Sequence, residues 1–291
     1  MNGFLVIDKP GGMTSRDVVN RVQKWFPRKT KIGHTGTLDP LATGVLVVCI
    51  GAATRLADYV QAMGKTYVSR FRLGATSTTD DADVEITQRA EPREGPGQCP
   101  SREVIESKLS AFIGNVEQVP PAFSALKVEG ERAHNLARKG TDVKLAARTV
   151  RIDSVRILNY EWPFLDVEID CGKGTYIRSI ARDLGEKLGC GGLVQTLRRT
   201  HIGPFTVEQG MMLDGEPGRM KLLPMSAALA GMPTVRFTTD EVKRFRTGQT
   251  ILHPAGEQSA AEVAVHDEKG ELVAIGMRTN GSIKPSIVFA L

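Results

Sequence analysis

The sequence predicts an α+β fold with a mixed, largely antiparallel central sheet, flanking helices and a small β-rich module at the C-terminus. Residues 65–74, 149–158 and 165–171 alternate polar and apolar side chains, as half-buried strands do. Helical patterns lie between the strands without regular βαβ units, which favours antiparallel pairing. A change in composition near residue 231 predicts the start of the second unit, which is within the usual lower range of domain size.

Length and composition indicate an ordinary globular protein. The 291 residues are 41% hydrophobic and 24% charged, enough to bury a sizeable core. No apolar stretch approaches transmembrane length, and the first residues lack the basic flank of a signal peptide. We therefore expect a cytoplasmic protein without a membrane partner. Four cysteines and five histidines are scattered along the chain, which argues against a metal site and against a disulfide framework.

The basic residues are clustered. The net charge is +5 and the isoelectric point is about 9.0. Clusters of Lys and Arg occur in residues 24–31, 148–156, 198–199 and 243–246. Clustered positive charge is typical of proteins that bind polyanions. Solvated helix faces explain any single cluster equally well, so the four together favour nucleic acid only weakly.

The first elements follow from short apolar runs and one capping pattern. Residues 4–7 are apolar and end at a Pro-Gly-Gly turn, which predicts a short buried strand. Thr14 and Asp17 have capping-box spacing ahead of an apolar stripe that ends before Pro27, which predicts a helix. Residues 45–50 form a β-branched run between glycines and predict a fully buried strand.

The next stretch combines a helix, an alternating strand and an acidic loop. Residues 54–63 place apolar side chains on one helical face, and the strand over 65–74 follows directly. Residues 80–85 are acidic, but Ile86 and Pro92 occupy positions where a calcium-binding EF-hand loop needs Gly and Glu. We therefore interpret residues 80–97 as an exposed, mobile loop.

The central part of the chain alternates helices with extended segments. Residues 102–112 have helical spacing, and the prolines of residues 119–125 predict an extended segment. A short basic helix is expected over residues 132–139, because Gly140 ends the pattern. The alternating stretches 149–158 and 165–171 then predict an antiparallel pair of strands.

The last elements include one helix and several strands. Residues 176–188 predict a helix that ends at Gly189, and residues 193–202 predict a strand that carries Arg198 and Arg199 near its end. Short strands are expected over residues 263–265 and 272–275, between Gly-rich turns.

Residues 33–44 form the most distinctive segment. This polar loop contains one carboxylate, Asp39, and leads directly into the buried strand over 45–50. Pro40 biases Asp39 towards extended backbone angles, and three glycines permit angles that other residues avoid. A stiff loop at the mouth of a core strand suits a functional side chain. A turn aspartate that caps its own backbone is the more frequent role of a single Asp-Pro pair.

Six segments, taken together, resemble the TruB family of tRNA pseudouridine synthases. The resemblance covers residues 4 to about 210, and the segments occur in the order found in that family. The six segments are residues 9–15, 33–44, 65–67, 120–127, 174–178 and 197–199.

The resemblance implies a pseudouridine synthase fold and isomerisation of the T-loop uridine of tRNA, at position 55, after the base has been flipped out of its stack. It implies no cofactor and no metal, tRNA as the partner through its T-arm, no obligate protein partner, and a monomer. The expected domains are a catalytic domain over residues 1–231, with an RNA-contacting insertion at about 124–150, and a small PUA-like RNA-binding module over 232–291.

The resemblance also implies the catalytic residues. Asp39 is the essential carboxylate, which attacks the base, attacks the ribose or removes a ribose proton. Tyr67 stacks on the target base and takes part in proton transfer at C5. Arg178 pairs with Asp39, and Leu197 packs beneath the site. Because a nearby cation typically lowers the pKa of a carboxylate by ~1–3 units, we expect Arg178 to keep Asp39 ionised.

Further residues are implied to contact RNA. His34 stacks within the flipped-out nucleotides, and Lys127, Arg198 and Arg199 bind the substrate. Many relatives carry a tyrosine where this chain has His134, in the short basic helix.

Two competing functions remain open at this point. A guide-RNA-dependent synthase of the archaeal and eukaryotic type shares the Asp39 loop, and it would need guide RNA and partner proteins. A non-catalytic RNA-folding protein would bind tRNA without isomerising it.

Overall fold

The computed structural model describes most of the chain. The described residues are 1–89, 99–124, 126–128, 130–139, 145–215, 218, 220–253 and 261–289, without the side chains of 127, 132, 134, 135 and 138. The predicted loop over 80–97 and the predicted insertion at 124–150 therefore lie partly outside the described residues. The helices of the described chain are α1 Ser15–Gln23, α2 Ala57–Ala62, α3 Arg102–Ser110, α4 Ala133–Arg138, α5 Ile177–Lys187 and α6 Thr239–Arg246.

The strands fall into a large N-terminal group and a smaller C-terminal group. The first group consists of β1 Gly3–Lys9, β2 Ile32–His34, β3 Thr43–Ile50, β4 Lys65–Leu73, β5 Ala75–Ser77, β6 Ile86–Gln88, β7 Gly114–Gln118, β8 Lys127–Val128, β9 Glu131–Arg132, β10 Arg148–Glu161, β11 Phe164–Cys171, β12 Gly192–Ile202 and β13 Phe205–Thr206. The second group consists of β14 Thr234–Arg236, β15 Ile251–Leu252, β16 Ala261–His266, β17 Leu272–Thr279 and β18 Ser282–Val288.

The main sheet is mixed and largely antiparallel, as the sequence predicts. Its order is β1-β3-β12-β4-β11-β10-β7, with β2 added to β3 and β13 added to β12. Its neighbours pair antiparallel except β3 and β12, which run parallel where Thr43 and Gly44 face Arg198 and Arg199. Strand β12 therefore lies in the middle of the sheet, between β3 and β4, although both of these strands come much earlier in the sequence.

The parallel contact between β3 and β12 requires a glycine. A Cβ atom at Gly44 would lie 2.1 Å from the carbonyl oxygen of Arg199, and the backbone there has φ of +98°. Both the close approach and the positive φ exclude a side chain at this position. Gly44 thus lets the end of the 33–44 loop meet β12.

The two faces of the main sheet have separate hydrophobic cores. Helices α1, α3 and α5 cover one face through an apolar cluster that includes Val18, Ile105 and Ile180. On the other face, a second cluster joins residues of β1 and β3 to Ile275 of β17 and to Phe289, which directly follows β18. The C-terminal sheet, in the order β14-β16-β17-β18-β15, therefore packs against the main sheet on the side away from α1, α3 and α5.

Most of the predicted helices and strands are confirmed, and two differences bear on the site. The helix expected over 54–63 begins as a 3₁₀ segment, Gly51–Leu56, and becomes α-helical only in α2. The prediction of an exposed loop from residue 80 is wrong for its first part, because Asp81 is only 3% exposed and lies against Arg178. Within the described residues, no helix is both long enough and apolar enough to cross a bilayer.

Candidate active site

A cavity of about 570 Å³ lies at the end of the main sheet where the 33–44 loop meets β12. It brings together five of the residues singled out by sequence: Asp39, Tyr67, Arg178, Leu197 and Arg199. Its wall also contains main-chain and side-chain atoms of residues 35–38, 148–150 and 173–177.

The loop that carries Asp39 is held by side chains from other segments. The hydroxyl of Ser15 accepts a hydrogen bond from the Leu38 amide at 2.8 Å and lies 3.2 Å from the Leu38 carbonyl oxygen. The Lys9 ammonium, fully buried, donates to the carbonyl oxygens of Met13 at 2.7 Å and Pro40 at 3.2 Å. Hydrogen bonds on both sides of Asp39 therefore fix its backbone, as expected for a preorganised functional group.

Arg178 contacts Asp39 directly. Its Nη2 donates to Oδ1 of Asp39 at 3.1 Å, and its Nε lies 3.0 Å from Oδ2. The Arg178 side chain is 4% exposed, whereas the Asp39 side chain is 31% exposed towards the cavity. The arginine is thus a buried partner, and the carboxylate remains accessible to a substrate.

Arg178 is itself fixed by three further groups. It donates to the carbonyl oxygens of Thr79 at 2.7 Å and Phe123 at 3.0 Å, and its Nη1 lies 3.3 Å from Oδ2 of Asp81. Asp81 accepts a hydrogen bond from the Thr79 hydroxyl at 2.5 Å. The cation therefore lies between two carboxylates, Asp39 and Asp81, with its geometry set by backbone carbonyls.

The pKa of Asp39 is raised above its ordinary value. Burial is the largest cause, the Arg178 guanidinium opposes it, and the charges of Asp81 and Asp83 add to the rise. Arg178 therefore lowers the pKa of this carboxylate, as expected, but it does not set the net direction of the shift. Desolvation and two neighbouring carboxylates, which the loop sequence alone does not reveal, outweigh the single cation.

Tyr67 and Leu197 come from the adjacent strands β4 and β12 and line the cavity. Each is 7% exposed. Burial raises the pKa of Tyr67, and the Arg199 guanidinium opposes this rise by charge and by hydrogen bonding. The Tyr67 phenol is therefore neutral near pH 7, and it presents an aromatic surface beside an aliphatic one.

Arg199 connects the loop to the sheet. It is 1% exposed, its Nε donates to the Val45 carbonyl at 2.8 Å, and its Nη2 donates to the Gly36 carbonyl at 3.2 Å. Arg198 extends to the opposite face of β12, where it forms a two-point ion pair with Asp8 at 2.7 and 3.0 Å. The structure therefore brings Arg199 to the cavity and does not bring Arg198 there.

His34 is not among the described residues that line the cavity. His34 ends β2, and its ring Nδ1 accepts a hydrogen bond from the Gly36 amide at 3.4 Å. Lys127 lies in β8 and His134 in α4, but their side chains are outside the described residues.

Sequence reasoning missed several polar side chains of the site. Asp81 and Asp83 lie in the acidic run that was interpreted as solvent-exposed, and Asp83 accepts a hydrogen bond from the Leu41 amide at 3.1 Å. Arg148 and Lys173 line the cavity without having been assigned a role. Two features of the sequence could have indicated these residues: three carboxylates within the four residues 80–83, and the basic cluster over 148–156.

The chain matches three domain families, all described in terms of pseudouridine synthesis. Residues 24–177 match the TruB family pseudouridylate synthase N-terminal domain. Residues 178–216 match the tRNA pseudouridylate synthase B C-terminal domain, and residues 233–289 match the pseudouridine synthase II TruB C-terminal domain.

Similar proteins cover nearly the whole chain. A tRNA pseudouridine synthase B of Cereibacter sphaeroides is 43% identical over 299 residues, which cover 100% of this chain and 97% of that protein. A protein of the same name from Thermobifida fusca is 39% identical and covers 99% of both chains.

Solved structures show the same fold. A chain in a structure of an H/ACA RNP bound to a substrate RNA containing 2′-deoxyuridine is 26% identical, with a TM-score of 0.74, over 99% of this chain and 85% of that one. A chain in the crystal structure of a Cbf5-Nop10-Gar1 complex has a TM-score of 0.73, 26% identity and the same coverage.

Proposed function

This chain belongs to the TruB family of pseudouridylate synthases, and we propose that it isomerises the T-loop uridine of tRNA, at position 55, to pseudouridine. The observation that carries the proposal is the carboxylate of Asp39, fixed by Arg178 at the wall of a cavity that a flipped nucleotide can enter. Relatives named tRNA pseudouridine synthase B, at about 40% identity over full length, support the choice of substrate.

The reaction rearranges bonds without a net change in oxidation state. The bond from N1 of uracil to C1′ of the ribose breaks, and a bond from C5 to C1′ forms. The proton on C5 leaves and a proton is taken up at N1. Asp39 attacks the base, attacks the ribose or removes a ribose proton, and each of these roles requires the ionised carboxylate.

Base extrusion precedes the chemistry. A uridine stacked within the T-loop must leave its stack before a side chain can reach the glycosidic bond, which costs a few kcal/mol. Stacking on an aromatic ring returns about 1–3 kcal/mol per base. We assign this stacking to Tyr67, with Leu197 packed beneath the ring, and we assign His34 to the neighbouring extruded nucleotides outside the cavity. Proton transfer at C5 belongs to the same proposal for Tyr67.

The domain roles follow from the same proposal. Residues 1–231 form the catalytic domain, with an RNA-contacting insertion at about 124–150, and residues 232–291 form a PUA-like RNA-binding module. Lys127 and Arg198 contact the RNA outside the cavity, and Arg199 supports the loop from within it. The protein acts as a cytoplasmic monomer without an obligate protein partner.

The direct test is tritium release from a tRNA transcript labelled at C5 of uridine. The purified protein alone should release tritium, and Asp39→Asn should reduce the rate by at least about a thousandfold while tRNA binding is retained. Asp153→Asn is the matched control, because Asp153 is exposed, pairs with Arg151 and does not line the cavity. Unchanged release by Asp39→Asn would exclude the catalytic assignment.

The same assay separates the two competing functions. A guide-RNA-dependent synthase would release tritium only after guide RNA and partner proteins were added. A non-catalytic RNA-folding protein would bind the transcript and release none. Release from free transcript by the protein alone excludes both.

A further inference from the structure

The cavity wall carries more positive charge than its one carboxylate requires. Among the described residues that line it, five are cationic and Asp39 is the anion. Three of these cations are occupied by protein groups. Arg178 binds two carboxylates, Arg199 binds two backbone carbonyls, and Lys65 donates to the carbonyls of residues 61 and 63. The other two cations are Arg148, which donates to one backbone carbonyl, and Lys173, which has no hydrogen bond or ion pair among the described residues.

Arg148 is held in place without a carboxylate partner among the described residues. Its guanidinium lies over the ring of Tyr176, 4.9 Å from the ring centroid, and its Nη2 donates to the Gly174 carbonyl. Its Nε is buried and has no hydrogen-bond partner in the described chain. Stacking on an aromatic ring fixes the guanidinium plane but leaves donors at its edge for an incoming acceptor.

Lys173 directly precedes Gly174, whose carbonyl accepts the hydrogen bond from Arg148. Its side chain is exposed and lines the same cavity. Its charge also reaches Lys65: burial, Arg199 and Lys173 together lower the pKa of Lys65 to about 8. Both cations thus line the cavity that Asp39 also lines, and neither has a carboxylate partner among the described residues.

The platform beneath Arg148 is rigidly connected to the catalytic pair. Gln118 accepts a hydrogen bond from the Tyr176 amide at 2.8 Å and donates one to the Tyr176 carbonyl at 3.1 Å. Tyr176 directly precedes α5, two residues before Arg178. A group bound by Arg148 would therefore be positioned relative to Asp39 through one short stretch of chain.

We propose that Arg148 and Lys173 form a phosphate subsite, which binds one backbone phosphate of the RNA next to the extruded uridine. The inference rests on the proposed function and deepens it. An arginine fork binds two phosphate oxygens with defined geometry, and a lysine adds a point charge. Contacts of this kind fix the register of the RNA without reading its sequence.

The test couples a protein substitution to a phosphate substitution. T-arm hairpins are made with single uncharged methylphosphonate linkages, one at each position of the T-loop. Their dissociation constants are measured with the Asp39→Asn protein, alone and combined with Arg148→Ala, Lys173→Ala or Arg151→Ala. Arg151 is the matched control, because it lies on the same strand, is 61% exposed, pairs with Asp153 and does not line the cavity.

One linkage is expected to weaken binding about tenfold, and Arg148→Ala is expected to weaken binding of unmodified RNA by a similar factor. The two changes together should cost no more than either alone. The slope of log affinity against log salt concentration is negative, and Arg148→Ala should make it less steep by about 0.7–0.9. Arg151→Ala should leave the effect of the linkage unchanged.

A purely structural role for Arg148 gives a different result. Its substitution and every linkage would then act independently, so that their effects multiply, and this outcome would overturn the proposal. Lys173→Ala tests the subsite without disturbing the fold, because this side chain is exposed. Failure of the proposed function is separate, since it appears as absence of tritium release from unmodified RNA by the unsubstituted protein.

Discussion

Replacement of Arg178 by lysine tests whether the catalytic pair depends on geometry rather than on charge alone. Arg178→Lys keeps the positive charge but removes the planar fork. In the structure, Nη2 binds Asp39 and the Phe123 carbonyl while Nη1 binds the Thr79 carbonyl and approaches Asp81. A lysine ammonium is a single point and cannot reach all four groups.

The expected loss follows from the contacts. At least one hydrogen bond to a charged group is lost, and such bonds contribute about 1.5–3 kcal/mol. When the lost bond is the one to Asp39, that range corresponds to a rate decrease of about 10- to 150-fold, since about 1.4 kcal/mol is a factor of ten. Loss of the carbonyl contacts lowers the free energy of unfolding as well.

The assay is single-turnover tritium release at saturating enzyme, together with urea unfolding. Arg182→Lys is the matched control. Arg182 lies one turn later on α5 and binds Asp80 at 3.0 Å and Asp183 at 2.8 Å, outside the cavity. Its substitution should lower stability by a similar amount and leave the single-turnover rate within about twofold. An Arg178→Lys protein with an unchanged rate and reduced stability would refute the catalytic reasoning.

Two further predictions concern charge and packing at the site. The reaction needs ionised Asp39, so its rate should fall as pH drops through the raised pKa of this group. Asp81→Asn removes a charge that raises that pKa, and the acid limb of the rate profile should move to lower pH; an unmoved limb contradicts this. Gly44→Ala should lower the free energy of unfolding by more than about 2 kcal/mol in urea titrations, because its Cβ would overlap the Arg199 carbonyl. An unchanged urea midpoint would contradict this, because it would show that β3 and β12 can move apart to admit the added methyl group without a loss of stability.

Much of the fold could be predicted because it is encoded locally. Period-two alternation identifies β4, β10 and β11, and the box formed by Thr14 and Asp17 sets the start of α1. The same rule also predicts which side chains of β12 share a face of the sheet. Alternation puts Leu197 and Arg199 on one side and Arg198 on the other, which separates the cavity residue from the one that pairs with Asp8.

The missed features depend on contacts between distant segments. Asp81 is buried because Arg178, far away in sequence, supplies an opposite charge and Thr79 supplies a hydrogen bond. Nothing in the acidic run itself distinguishes such a buried carboxylate from a solvated one. The upward shift in the pKa of Asp39 has the same origin, because desolvation and neighbouring charges cause it, and only the folded chain brings these together.

The central position of β12 has a consequence for biosynthesis. Strands β3 and β4 leave the ribosome early, yet the strand that joins them is Gly192–Ile202. At ordinary translation speeds the interval between them is on the order of ten seconds. During that time, the edge of β4 that β12 later covers along its length is unpaired and could associate with other chains. A nascent chain that ends before residue 192 also lacks Leu197 and Arg199. Ribosome-bound chains should therefore depend on chaperone protection and remain inactive until β12 has emerged.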